Sequence, residues 1–388
     1  MNPTIPLSAP DITEAEIAAV TAVLRTPHLS FGPELAAFES ALAGYHSAPH
    51  AIAVSSGTAG LQMALLTLGI RQGDEVIIPS FTFIAVANAV VLVGATPVFA
   101  DIDPVSLNLT PTTVDRALTP RTRAIIAVHT FGIPADMIGL RALATAHNIA
   151  LIEDASEAIG AELDGRRVGT FGDLAIFGFY PNKQITTGEG GAVLAKTQLH
   201  ADRLRALRNQ GRSPAPSTET IASSPAPAVS SVDDWLHHPD IGFNYRLSDL
   251  ACALGRVQLS RIAEILSLRR AAAERYHVLL ADTPGLELPP LTLPDRTISW
   301  FVFVVRLPES ADRAKVQASL SNRGIASATY FGPIHQQSAW RSLVQDPSSL
   351  HVTTSVGCRS LALPFFNRLT FGQQQQVASA LMEALRAR

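Results

Sequence analysis

Apolar positions recur at helical spacing near the start of the chain. Ile17, Val20, Thr21 and Leu24 follow at i, i+3, i+4 and i+7, and Thr13 with Glu16 forms a capping box ahead of them, so an amphipathic helix is predicted. Leu35, Phe38 and Leu42 repeat the spacing after Pro33. Short apolar runs at 51–54, 75–78, 97–100, 124–128 and 150–153 then alternate with helical patterns at 59–68, 82–93, 112–118 and 135–147. That alternation predicts βαβ units and a mostly parallel sheet with helices on both faces.

Beyond Asp173 the pattern changes. Two strand-like segments, 173–179 and 191–195, flank a polar, glycine-rich turn, and a helix is expected over 199–209. Residues 213–231 hold six Ser, four Pro and no aromatic residue, a composition that cannot bury a core and reads as a flexible surface insertion. Residues 248–280 are helical in pattern, a strand is expected over 299–305, and the chain closes on a helix at 373–387. The fold class expected is α/β, with a large domain over 1–250 and a smaller C-terminal α+β domain over 251–388, divided within the long helical stretch.

Composition narrows the possibilities. Of 388 residues, 47% are hydrophobic and 16% charged, which fits a globular chain, and the net charge of −3 provides no field to hold nucleic acid or an anionic membrane. Cys252 and Cys358 are too few for a disulfide scaffold, and no basic-then-apolar leader precedes Ile5-Pro6-Leu7, so a cytoplasmic protein is expected. The most membrane-like stretch, 83–100, is broken by Asn88, Gly94, Thr96 and Pro97, and reads as a buried helix and strand. No metal site is expected.

Three segments could carry chemistry. Ser55-Ser56-Gly57-Thr58 lies between a predicted strand and helix, where free N–H groups and the helix dipole suit a phosphate; alone, such a segment is more often an ordinary N-cap turn. Glu153-Asp154-Ala155-Ser156-Glu157 ends a predicted strand at the sheet edge where ligands bind, and a carboxylate there could face a cationic ring nitrogen or merely cap the next segment. In Phe179-Tyr180-Pro181-Asn182-Lys183 and the turn that follows, a lysine is enclosed between two apolar strands, where desolvation would free its amine to attack a carbonyl. A phosphate cradle, a strand-end Asp and a sequestered Lys in this order are what pyridoxal 5'-phosphate requires.

The chain resembles the nucleotide-sugar aminotransferases of the DegT type, a family of fold type I pyridoxal phosphate enzymes, almost from end to end. The likeness rests on Leu29-Ser30-Phe31-Gly32-Pro33, Ser56-Gly57-Thr58-Ala59, Pro79-Ser80-Phe81-Thr82-Phe83, Glu153-Asp154-Ala155, Lys183 with Thr186-Thr187-Gly188-Glu189-Gly190-Gly191, Gly242-Phe243-Asn244-Tyr245-Arg246 and Pro333-Ile334-His335. It implies that Lys183 forms the imine and moves the proton, that Asp154 pairs with the pyridine nitrogen, that Phe83 stacks on the ring, and that Gly57 and Thr58 hold the phosphate. Asn244 would reach the phosphate of a neighbouring subunit's cofactor, giving a homodimer with shared active sites. Phe31, Tyr330 and His335 are candidate substrate contacts.

The implied reaction moves an amino group from an amino acid, by family habit glutamate, to a keto-sugar of a nucleotide-sugar. The product would serve surface polysaccharide or a glycosylated metabolite. An aminocyclitol aminotransferase and a non-catalytic pyridoxal phosphate-binding regulator are the alternatives; relatives that dehydrate sugars carry His where this chain has Lys183. Departures from the family pattern are Glu157 where many members have Gln or His facing the cofactor hydroxyl, Gly178 where many have Ser, the absence of a frequent Arg ahead of Tyr330 in Ala328-Thr329-Tyr330-Phe331-Gly332, and the 213–231 insertion.

Overall fold

A computed structural model describes residues 4–212, 238–343 and 346–386, so the Ser/Pro-rich segment lies outside the described residues. In chain order the elements are α1 (Glu14–Leu24), α2 (Pro33–His46), β1 (His50–Val54), α3 (Gly57–Thr67), β2 (Glu75–Pro79), α4 (Ala85–Leu92), β3 (Thr96–Ala100), α5 (Pro111–Asp115), β4 (Thr122–Val128), α6 (Met137–Ala146) and β5 (Ala150–Asp154). They continue with β6 (Glu162–Leu163), β7 (Arg166–Arg167), β8 (Leu174–Gly178), β9 (Gly191–Ala195), α7 (Gln198–Arg208), α8 (Asp249–Ser260) and α9 (Ile262–Leu280). The rest are β10 (Arg296–Thr297), β11 (Phe303–Arg306), α10 (Arg313–Asn322), α11 (His351–Arg359), β12 (Ser360–Leu363) and α12 (Phe371–Arg386).

Seven strands form the main sheet in the order β1-β9-β8-β5-β4-β2-β3. Only β9 runs against its neighbours, so the sheet is mostly parallel, as the alternating pattern predicts. Both faces are covered. Ile52, Val54, Ile126, Val193 and their neighbours pack under α3, α4 and α7. The alternate residues of β1 and β9, Ala51, Ala53, Ala192 and Leu194, pack with Leu35, Phe38 and Leu42 of α2. The period-2 switch between faces produces near-continuous apolar runs because neither face meets water. Each fully buried Leu or Phe contributes about 2 kcal/mol of burial.

A second core gathers Tyr276 and Leu280 of α9, Phe303 and Val305 of β11, Leu361 and Leu363 of β12, and Val377 and Leu381 of α12. Ile5 joins it, its backbone bonded to Gly324 and Ala326. α9 touches both cores, with Ile262 and Ile265 in the first and Ala272 and Tyr276 in the second.

Three expectations are modified. α1 has its capping box, but Ile17 and Leu24 stay exposed and Glu16 is buried. The helix docks by charge: Glu16 meets Arg261 at 2.9 Å and Gln258 at 2.8 Å, while Arg261 also holds Asp11 at 3.1 Å. The helical stretch over 248–280 is two helices interrupted at Arg261. The strand expected from Ser299 begins only at Phe303, because the carbonyls of Ser299, Trp300 and Phe301 accept from side chains instead of a ladder partner. The 83–100 stretch is α4 followed by β3, and among the described residues no helix is long and apolar enough to cross a membrane.

Candidate active site

Every strand of the main sheet except β9 points the same way, and the carboxyl ends of β1, β8, β5 and β4 deliver their following turns to one edge. A cavity of about 730 Å³ opens there, lined by Ser56, Gly57, Thr58, Phe83, Asp154, Ser156, Glu157, Gly178, Asn182 and Lys183 from the large part and by Phe301 and Tyr330 from the C-terminal part. Its size falls in the range that small-molecule sites occupy, about 300–1,000 Å³. Another cavity of about 740 Å³ runs along β3, but two of its carboxylates are already engaged, Glu75 by Arg121 and Asp101 by the N–H groups of Val352 and Thr353, and it contains no lysine.

At one end of the cleft α3 begins. Ser56 caps it, accepting from the Ala59 N–H at 3.0 Å, and the N–H groups of Gly57 and Thr58, in the first turn, have no partner within the helix. A Cβ on Gly57 would lie 3.3 Å from Ser156 Oγ and 3.4 Å from Gly178 Cα, so two glycines and a serine hydroxyl leave a cradle that side chains would fill. That suits a phosphate at a helix N-terminus.

Asp154 is the last residue of β5 and is 7% exposed. One carboxylate oxygen accepts from Ser156 N–H at 3.1 Å; among the described residues the other accepts from nothing. Glu157, three residues on, accepts from Phe131 N–H at 2.9 Å and faces Lys183 Nζ at 3.5 Å. Burial pushes its carboxyl above the usual glutamate value, and the nearby lysine only partly offsets that.

The Lys183 backbone closes a turn onto Tyr180 O at 2.9 Å, which throws the side chain into the cleft with 15% of its surface exposed. Its ammonium lies 3.9 Å from the centre of the Phe301 ring. The whole chain has three lysines: Lys196 donates to Phe171 O on the far side of the sheet, and Lys315 is exposed on α10. Lys183 is therefore the amine available to a carbonyl in this cleft.

Phe83 lines the cleft and is 59% exposed, an open ring face. Tyr330 also lines it; its hydroxyl accepts from Asn182 Nδ2 at 3.4 Å, and burial raises its phenol. Phe31, Asn244 and His335 do not line the cavity. Phe31 stands exposed at a positive φ of 53°, with the guanidinium of Arg208 5.3 Å from its ring and that of Arg246 6.0 Å away. Asn244 is exposed, its backbone bridged to Asn209. His335 is buried with Nδ1 2.7 Å from Ser80 Oγ and Nε2 3.2 Å from Thr354 Oγ1, and burial pushes its ring below the usual histidine value.

Two cleft residues escape a reading of the sequence. Phe301 sits in an apolar run that resembles any core strand, and Ser156 looks like turn filler; nothing local signals either. The residues fit a phosphorylated, cationic-ring aldehyde: an open helix start for phosphate, a half-satisfied carboxylate for the ring nitrogen, and an amine for the carbonyl.

A doubly covered, mostly parallel sheet with this site at its carboxyl edge defines a pyridoxal phosphate-dependent transferase. The model of the DegT/DnrJ/EryC1/StrS aminotransferase family matches residues 10–382, so the chain belongs to that family. It is 37% identical over 387 residues to a GDP-perosamine synthase of Caulobacter vibrioides, covering 99% of both chains. The structure of S. venezuelae DesV in complex with a ketimine intermediate superposes with a TM-score of 0.86 at 36% identity over 100% of both chains. A Streptococcus pneumoniae protein, 25% identical and solved in a PLP form, gives 0.88 over 100% of this chain and 99% of that one. This protein is a pyridoxal 5'-phosphate-dependent sugar aminotransferase.

Proposed function

We propose that Lys183 is the amine that bonds the cofactor and moves the proton, and that the reaction transfers an amino group from an amino acid, glutamate first, to a keto-sugar carried on a nucleoside diphosphate. One observation carries the reading: Lys183 Nζ, the half-free Asp154 carboxylate and the open start of α3 line one cleft. Bound there, pyridoxal 5'-phosphate supplies a ring that accepts the electrons left when the bond between hydrogen and the amine-bearing carbon breaks. Asp154 keeps the ring nitrogen protonated, so that the ring remains an electron sink. The N–H groups of Gly57 and Thr58, with the Thr58 hydroxyl, would hold the phosphate, and Phe83 would pack against the ring. Lys183, once its amine is free, would take the proton from the donor's amine-bearing carbon as general base and hand it on as general acid, and would do the same in reverse in the acceptor half.

The Caulobacter relative supports a GDP-linked keto-sugar as the first acceptor to test. Asn244 and Phe31 lie outside the cleft and exposed, which supports their serving a neighbouring subunit's site in a homodimer. Mixing Lys183→Ala and Asn244→Ala proteins tests that arrangement: hybrid dimers recover activity when each site draws on both chains and recover none when it does not.

The reaction is tested in two half-steps. Holo-protein mixed with glutamate should lose its aldehyde-type absorbance and release 2-oxoglutarate, and the aminated form should then be discharged by a GDP-linked keto-sugar. No spectral change with any amino acid would leave a binding protein rather than an enzyme.

A further inference from the structure

Arg269 on α9 is 2% exposed and, among the described residues, forms no ion pair. Its guanidinium donates to three carbonyls: Phe301 at 2.9 Å, Lys183 at 3.1 Å and Trp300 at 3.4 Å. Its Nε is buried without an acceptor. Burial pushes the group down to about 10, with Asp11 acting in the opposite direction. A buried cation is costly, and here three carbonyls and the Phe365 ring, its centre 5.7 Å from the guanidinium, are what answer it. The rigid fork does what an apolar residue cannot: it joins two distant chain segments at fixed spacing.

Those segments are the Lys183 turn and the stretch carrying Phe301, whose ring lies 3.9 Å from Lys183 Nζ. Gln184 reinforces the junction from the other side, donating to Glu157 O at 2.7 Å, Ser299 Oγ at 2.9 Å and Ser299 O at 3.1 Å. The backbone of 299–301 is thus held against the lysine turn rather than in a strand.

We propose that Arg269 is a positioning residue for the transfer reaction, its buried fork fixing the Lys183 amine and the Phe301 ring relative to one another and to the cleft. The inference rests on Lys183 being the amine that bonds the cofactor. Arg269→Met removes the fork at similar volume, and Arg269→Lys keeps the charge but reaches one segment only. For both, kcat falls about 10–100-fold, since a misplacement of about 1 Å has that effect, while the donor KM stays within about twofold. Independently of turnover, the visible circular dichroism of the bound cofactor weakens, and added pyridoxal 5'-phosphate bonds Lys183 of the cofactor-free protein about tenfold or more slowly.

Borohydride tagging separates the two layers. A wild-type tag away from Lys183 overturns the reading of the lysine, and this inference with it. A tag on Lys183 in wild type and variants, with lower Tm but unchanged kcat, dichroism and bonding rate, leaves the lysine reading intact and overturns the role of Arg269. Should neither Arg269 variant fold, Phe301→Leu decides: it removes the ring and leaves the fork, and it should reproduce the loss of kcat and of dichroism, whereas wild-type values would overturn the proposal.

Discussion

Glu153 lies in β5 and Glu157 in the turn just beyond it, four residues on; both are buried, and their pKa values move in opposite directions. Burial raises both. Around Glu153 that is outweighed by a hydrogen bond from His129 at 3.1 Å and by the N–H groups of Gly172 at 2.6 Å, Gly169 at 2.7 Å and Phe171 at 2.7 Å, so the carboxyl lies below its usual value. His129 Nδ1 accepts from Ala135 N–H at 3.0 Å, which leaves its Nε2–H for Glu153. Glu157 receives one backbone N–H and a long contact from Lys183, and stays raised. The side of β5 that faces the loop at 169–172 is complete within the protein, whereas the side that faces the cleft is not. A buried carboxylate with four close donors holds the fold together; one with a single backbone donor and a long lysine contact has capacity left for a ligand.

The contrast can be broken at several points. Lys183→Ala has the largest expected effect, a loss of at least about 10³-fold in kcat with the fold intact, since the proton has no other carrier; measurable turnover near wild type would remove the lysine from the reaction. Glu153→Gln comes next, on stability rather than chemistry. It leaves backbone N–H groups facing an amide and should destabilise the protein by about 3 kcal/mol in denaturant titration, with little change in the KM of either substrate. The lowered pKa of Glu153 means its contribution is present above the usual value of 4.5 and is lost as pH falls through the lowered one, so the variant should show a shallower acid limb. Glu157→Gln has the smallest effect, within about 1 kcal/mol in cofactor-free protein. Folding raises this carboxyl, so wild-type stability declines as pH climbs from 4.5 through the raised value, and the variant should lack that decline.

Much of this was legible in the sequence for a physical reason. Strands β1 to β5 announce themselves because both sheet faces are buried, and Lys183 does so because a lysine between two apolar strands is out of place on a surface. Gly57, Thr58 and Asp154 follow from strand ends meeting at one edge, while Glu157 enters only through the family resemblance. What stayed hidden depends on distant partners. Phe301 reaches the cleft from the C-terminal third, and Arg269 holds it there from behind through carbonyl contacts that no periodicity records. α1 misleads because its apolar stripe is real but the helix docks through Glu16 and Arg261 instead.

The most direct measurement is reduction of the holo-protein with borohydride, digestion and mass analysis of the pyridoxyl-bearing peptide. With three lysines in the chain, the outcome has few branches. The tag is expected on Lys183, with loss of activity in proportion to labelling. A tag on Lys196 or Lys315, or a protein that takes up pyridoxal 5'-phosphate and leaves no tag, would contradict the site described above.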